Sequence, residues 1–553
     1  MSETPSRRSV LKFAGLGVAA ATVGSPLLAA CGGTSKTAAN VSNAVTGMKP
    51  WPAYVPITGA KPDLAGTGAG VQDTFLKYPS TLFQATKGTP GDGSKVTMQC
   101  LTYGTVTSFN DSNKLFGAVE SALGVKLDLK VVPDVGTGYL TTYSTMSASG
   151  DIPDLTAFAA FYTMPNQSQF IASQYADLTD YLSGDAIKEY PNLANIPTYV
   201  WEGMGRIGGK IYGVPIHRPR IAFAMFGNGS KLAGTGLDGK GQTLDQFVSG
   251  LAQINGGGHY ALGDCGTTPF GYQVHAASAG APNTWSLSGG QFASTYTTDE
   301  FKQSIVNMQS LWAKGLWDPN AVSMTATQMK TLFANGTTNT VVDGWGGFAS
   351  YVSVVGSAWP VKIMRPYGAK PTPWFGSGLF AFTGIKKSSP DRIKMLLRVL
   401  DHLASPFGSK EWELINYGTE GVHFTRGADG GPSVPTALGK TESFVNVPFR
   451  YIAAAPQVIY NPGFPDASRE AHQAEQDIIP LGIDNPAAPY LGGSVTNSTK
   501  GATLNSLISD AILSVVSGKQ PISAWDGAVQ QFRSRGGDQI AQELAVQYAA
   551  ANK

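Results

Sequence analysis

From Lys95 onward the chain alternates short β-rich runs with longer stretches of helical periodicity, and this restricts it to sheets covered by helices. Val96-Thr97-Met98-Gln99-Cys100-Leu101 reads as a strand. Leu115, Val119 and Leu123 then form an i, i+4, i+8 stripe, which predicts a helix that Gly124 stops. Lys126 to Val132 alternates as a second strand, 138–149 suits a helix, and Pro153 to Phe158 reads as a third strand. The pattern returns with helical stretches at 243–254, 299–314 and 326–334 and strands at 339–343 and 379–383. Ser389-Pro390-Asp391 is a helix start, with serine as cap and proline at the first position, and Ile393, Leu396, Leu397, Leu400 and Leu403 follow as its apolar stripe. Trp525, Val529 and Phe532 mark another helix, closed by Gly536-Gly537 as C-cap, before a last one carrying Ile540, Leu544 and Tyr548. The expected class is α/β with a mainly parallel sheet. A chain of 553 residues outgrows a single hydrophobic core, so at least two lobes are expected.

The N-terminus reads as an export signal of the twin-arginine type. Ser6-Arg7-Arg8-Ser9-Val10-Leu11-Lys12 precedes an apolar run ending in Leu28-Ala29-Ala30-Cys31, which resembles a lipobox and predicts removal of residues 1–30 and acylation of Cys31. A transmembrane anchor is the alternative, but three glycines and a proline interrupt the run. Residues 31–48 read as a flexible lipid-anchored tether. Residues 49–93 form a Pro/Gly-rich extension expected to drape over the body, anchored by Trp51, Tyr54, Phe75 and Tyr78.

Loss of residues 1–30 removes Arg7, Arg8, Lys12 and Glu3 and leaves basic and acidic side chains equal in number, so nucleic acid is not an expected partner. Charged residues make up only 14%, while 67 glycines and 10% aromatics suit a neutral solute held by ring faces and hydrogen bonds. An exported location permits a Cys100–Cys265 disulfide, yet Cys100 lies in an apolar strand where a buried thiol is the commoner state.

Five stretches, in order, resemble the family 1 extracellular solute-binding proteins of ABC importers, in particular sugar-type lipoproteins of the aldouronate-type branch. They are Ser149-Gly150-Asp151-Ile152-Pro153-Asp154, Gly209 to Pro215, Leu332-Phe333-Ala334-Asn335-Gly336 to Trp345, Tyr417 to Phe424, and Pro521-Ile522-Ser523-Ala524-Trp525-Asp526 to Gly537. The resemblance implies a two-lobed periplasmic-binding-protein type II-like fold with a hinge and an interlobe ligand cleft. Lobe one is assigned to 94–217 and 380–435 and lobe two to 220–375 and 440–550, with crossovers near 218, 377 and 437. It further implies a monomer on the outer face of the cell membrane, held by lipid on Cys31, that passes a saccharide to ABC permease subunits.

A pyranose needs flat aromatic platforms and a few hydrogen-bonding groups. The first candidate platform is Trp345, set among Gly344, Gly346 and Gly347 after the strand ending in Asp343. Trp374 and Phe375 precede the second crossover, and Phe158, Phe161 and Tyr162 follow the third strand. Each ring would look the same in a core. The polar candidates are Asp343, His217, Arg218 and Glu420, with Asp154 and Arg220 nearby; an arginine can hold a carboxylate in two-pronged fashion or pair with a surface acid.

The sequence holds no Gly-x-Ser-x-Gly elbow, His-Glu-x-x-His helix or phosphate-binding P-loop, and its six histidines are scattered singly. No catalytic residue, cofactor or metal site is expected. The rival readings are a secreted glycoside hydrolase or polysaccharide lyase, which needs two facing carboxylates, and a lipoprotein that binds a protein partner.

Overall fold

The computed structural model describes residues 48–102, 108–133, 138–162, 164, 166–263, 268–444 and 447–552. The expected signal at 1–30, Cys31, the expected tether as far as residue 47, and Cys265 lie outside the described residues. All that follows concerns the body beyond Val41.

The first sheet has five strands, in the spatial order Lys126–Pro133, Lys95–Thr102, Leu155–Ala159, Leu379–Ile385, Val214–His217. Its first three strands are parallel, whereas Leu379–Ile385 runs antiparallel to both neighbours. A second sheet orders Val361–Ile363, Phe223–Asn228 and Thr340–Gly344, all antiparallel. The expected mainly parallel sheet is thus corrected to a mixed one. The reason lies in the crossings: Leu379–Ile385 brings the chain back beside Val214–His217, which takes it out, and adjacent outgoing and returning strands oppose each other.

Local chemistry explains the helices that position the site. Asn113 caps Lys114–Leu123 by accepting from the Phe116 amide, and Gly124, at φ 64°, ends it in the left-handed region glycine tolerates. Ser389 caps Pro390–Leu403, whose stripe enters a core with Val96, Met98, Leu155 and the fully buried Trp201. A second core joins Phe247, Phe301, Ile508 and Trp525. Ser523–Phe532 does not end at a glycine C-cap as expected. It continues through a π-helical turn, Arg533–Gly537, kinked at Gly536 (φ 150°), into Asp538–Ala551.

The two sheets belong to two lobes, and crossing segments join them. Arg218 N donates to Gly378 O at 2.7 Å and Gly376 N to Arg220 O at 2.7 Å, tying the first crossing to the second. Gln457 N donates to His217 Nδ1 at 2.9 Å, tying in the third. That third crossing lies beyond residue 453 and not near 437, because Val447, Phe449, Ile452 and Ala453 are still in the first core.

The extension has almost no regular structure. Thr74–Phe75 pairs in parallel with Ile459–Tyr460. Phe75 and Tyr78 pack on Phe407, and Arg206 covers the Trp51 ring at 4.0 Å. Tyr54 departs from expectation: it is 47% exposed and anchors little. Cys100 is a free, buried thiol beside Pro448 O. No helix among the described residues is long and apolar enough to cross a membrane.

Candidate functional site

Between the lobes opens a cleft of about 780 Å³ whose floor is formed by the first two crossings, at Arg220, Ala222 and 374–377. Lobe one supplies a wall from the end of its third strand and the helix Thr198–Met204, presenting Tyr162, Tyr199 and Glu202. The opposite wall presents Tyr272 and Gln273 from Tyr272–Ser278, the 484–492 loop, and Asn497 and Ser498 from the first turn of Val495–Val516. At one edge the walls touch: Ser168 Oγ donates to Gly492 O at 3.2 Å.

The rings facing this space are held from behind. Tyr162 stacks on Tyr139 with centroids 4.7 Å apart, and Tyr139 on Tyr143 at 4.1 Å. Trp374 Nε1 donates to Ala281 O at 3.0 Å, which fixes the indole plane. Arg220 lies over the Phe375 ring at 4.1 Å, and its Nη2 meets both Asp484 oxygens at 2.7 and 2.8 Å. Asn283 Nδ2 donates to Phe375 O and Ile483 O, pinning the 483–486 loop to the floor. Desolvation, followed by the nearby Asp484 charge, pushes the Glu202 carboxyl up. Aromatic faces, amides and hydroxyls converge here, the chemistry that a sugar's CH faces and hydroxyl edges need.

Among the sequence candidates, the structure brings Tyr162, Trp374 and Phe375 together in the cleft, though the last two are only 9% and 7% exposed. Phe161 lies beside Tyr162, 52% exposed, outside the cleft lining. Trp345 is corrected: it is 4% exposed in a third core with Ile221 and Ile478, so it offers no face to a ligand. Phe158 is likewise core, packed between Tyr175 and Phe382. Asp343 accepts from the Gly344 amide and the Tyr351 hydroxyl, away from the cleft. Glu420 pairs with Arg426 on the surface, and Asp154 braces the sheet by accepting from Thr97 and Arg392.

His217 serves the hinge. It is 3% exposed, its Nε2 lies 2.6 Å from Tyr199 Oη, and desolvation followed by the Arg218 charge pushes it down to about 3. It borders a separate space of about 550 Å³ beneath the N-terminal extension. Arg218 stacks on Phe380 at 4.2 Å and faces a smaller cavity inside lobe one. Sequence reasoning missed Tyr199, Glu202, Tyr272, Gln273, Asn283 and Asp484, which sit in short helices and loops with no periodicity of their own. The helix Val495–Val516 was also missed, although Leu504, Ile508 and Ile512 at i, i+4, i+8 announce it.

No family model matches the chain. It is similar to the polygalacturonan/rhamnogalacturonan-binding protein YtcQ of Bacillus subtilis, 24% identical over 448 residues, covering 77% of this chain and 86% of the relative. It is also similar to lipoprotein LipO of Bacillus subtilis, 24% identical over 481 residues, covering 80% and 90%. Among solved structures, an HMO-binding ABC-transporter-associated solute-binding protein from Bifidobacterium longum infantis superposes with TM-score 0.61 at 16% identity, covering 83% of this chain and 99% of that one. The N-glycan transport solute-binding protein of Streptococcus pneumoniae gives 0.58 at 16% identity, covering 83% and 99%. These findings bear out the resemblance to family 1 sugar-type solute-binding proteins and the two-lobed fold.

Proposed function

We propose that this chain, built as a two-lobed extracellular solute-binding protein, captures a saccharide reversibly in its interlobe cleft and delivers it to the permease of an ABC importer. One observation carries the reading: the cleft takes its two walls from different lobes and its floor from the segments that join them. A guest lying there touches both lobes, so it binds the closed arrangement better than the open one, and that difference drives closure. The names of a sequence relative that binds polygalacturonan and rhamnogalacturonan and of a structural neighbour for N-glycan transport support a saccharide as guest. Export through the twin-arginine-type signal and a lipid on Cys31 would hold the body at the outer membrane face, where the permease waits.

Catalysis fits the cleft less well. Among the described residues, its lining carboxylates are Glu202 and Asp484. Both Asp484 oxygens meet Arg220, so that carboxylate is committed to an ion pair, and Glu202 is the one lining carboxylate left without a cation to serve as half of the pair that glycoside hydrolysis uses. The test is calorimetric titration of the mature chain with a panel of oligosaccharides, followed by chromatography of the recovered glycan. Binding with the glycan recovered unaltered is expected; a shortened glycan overturns the reading.

A further inference from the structure

The charge balance of the cleft narrows its guest. Among the described residues, the charged side chains lining it are Glu202, Arg220 and Asp484. Arg220 is already partnered: Nη2 serves Asp484, Nη1 donates to Ala69 O at 3.2 Å, and its flat face covers Phe375. The Asp484 side chain is 69% exposed and lines the cleft beside Arg220, so the cation meets the cleft already paired with a carboxylate. Glu202 adds a second carboxylate from the opposite wall. Arg218 and Arg450 border the separate cavity inside lobe one, not the cleft. Between residues 48 and 552, the positions outside the described set contribute no lysine or arginine that could reverse this balance.

A uronate chain entering here would trade the hydration of its carboxylates for two acidic side chains and a cation already in use, a cost with no offsetting ion pair. A neutral glycan meets only groups suited to hydroxyls. Gln273 contributes an Oε1 that has no partner within the protein, and Asn485, Asn497 and Ser498 offer both donors and acceptors. We propose that the cleft selects a neutral oligosaccharide and rejects uronate-rich glycans, with Asp484 as the specificity-determining residue that withholds Arg220 from acidic guests. This rests on the saccharide-capture reading above.

The test compares matched neutral oligosaccharides with oligogalacturonides by calorimetry, at low and moderate salt, on the wild type, Asp484→Asn and Glu202→Gln, each checked for folding by circular dichroism. The wild type is expected to prefer the neutral series by about 100-fold, and Asp484→Asn to shift the ratio toward the uronates by about tenfold. Glu202→Gln, which leaves the Arg220 pairing intact, should shift it in the same direction by less. Oligogalacturonides bound as tightly as the best neutral glycan overturn the specificity while leaving saccharide capture standing. A ratio unchanged in both variants removes the two carboxylates from that role. Failure of every glycan in both series sinks the capture reading itself.

Discussion

Trp345 shows what one residue can and cannot reveal about its place. Its glycine neighbours suggested an open approach for a sugar, yet the crossing at Ile221 and the helix Pro465–Ile478 pack with the ring in one core. Trp345→Ala therefore leaves a cavity in a core. It should cost about 3–5 kcal/mol of stability while leaving the affinity of the folded fraction unchanged, as urea melts read beside calorimetry would show. A loss of affinity at full stability would return Trp345 to the binding surface. Tyr162 illustrates the opposite case: nothing in its flanking sequence separates it from Phe158 four positions earlier, and only the stacked ring of Tyr139 shows which one faces the cleft.

At the scale of elements, periodicity and caps were legible and crossings were not. The helices at Lys114–Leu123, Gly138–Ser149, Asp299–Ala313 and Pro390–Leu403 stand where their apolar spacing and end signals put them. Strand direction was not legible, because alternation says which face is buried but not which neighbour a strand pairs with. The second crossing supplies a prediction at this scale. Gly378 adopts φ 69°, and a Cβ there would lie 2.6 Å from the Tyr199 ring. Gly378→Ala should lower stability by about 1–2 kcal/mol through backbone strain. It should also weaken saccharide binding, because Tyr199 must move and Tyr199 lines the cleft. Paired melting and titration measurements check both; an affinity indifferent to the change would detach the hinge from the site.

For the whole molecule, buried titratable groups set an acid and an alkaline limit. Desolvation pushes His217 down to about 3 and His275 down to about 4, so below the ordinary histidine range protons favour the unfolded chain and stability falls with pH. Asp401 and Glu475 act in the opposite sense. Desolvation raises them to about 7 and about 8, so the folded form keeps protons that the unfolded chain releases near 4, and stability falls as pH climbs through that interval. Glu475→Gln mimics the protonated state and still accepts from the Gln72 amide. Its melting temperature should exceed the wild type's at pH 9, by an amount equivalent to about 2–4 kcal/mol, with the gap closing toward pH 4.5. A constant gap across that range would refute the titration. The sequence alone determined the local order of this protein: where strands and helices start and which stripe of each turns inward, all set by neighbours within a few positions. Which rings line the cleft, which arginine is already claimed by a carboxylate 264 positions away, and how the lobes join were decided only by tertiary structure. Burial and charge pairing depend on groups that the chain brings together from afar, and no local pattern encodes them.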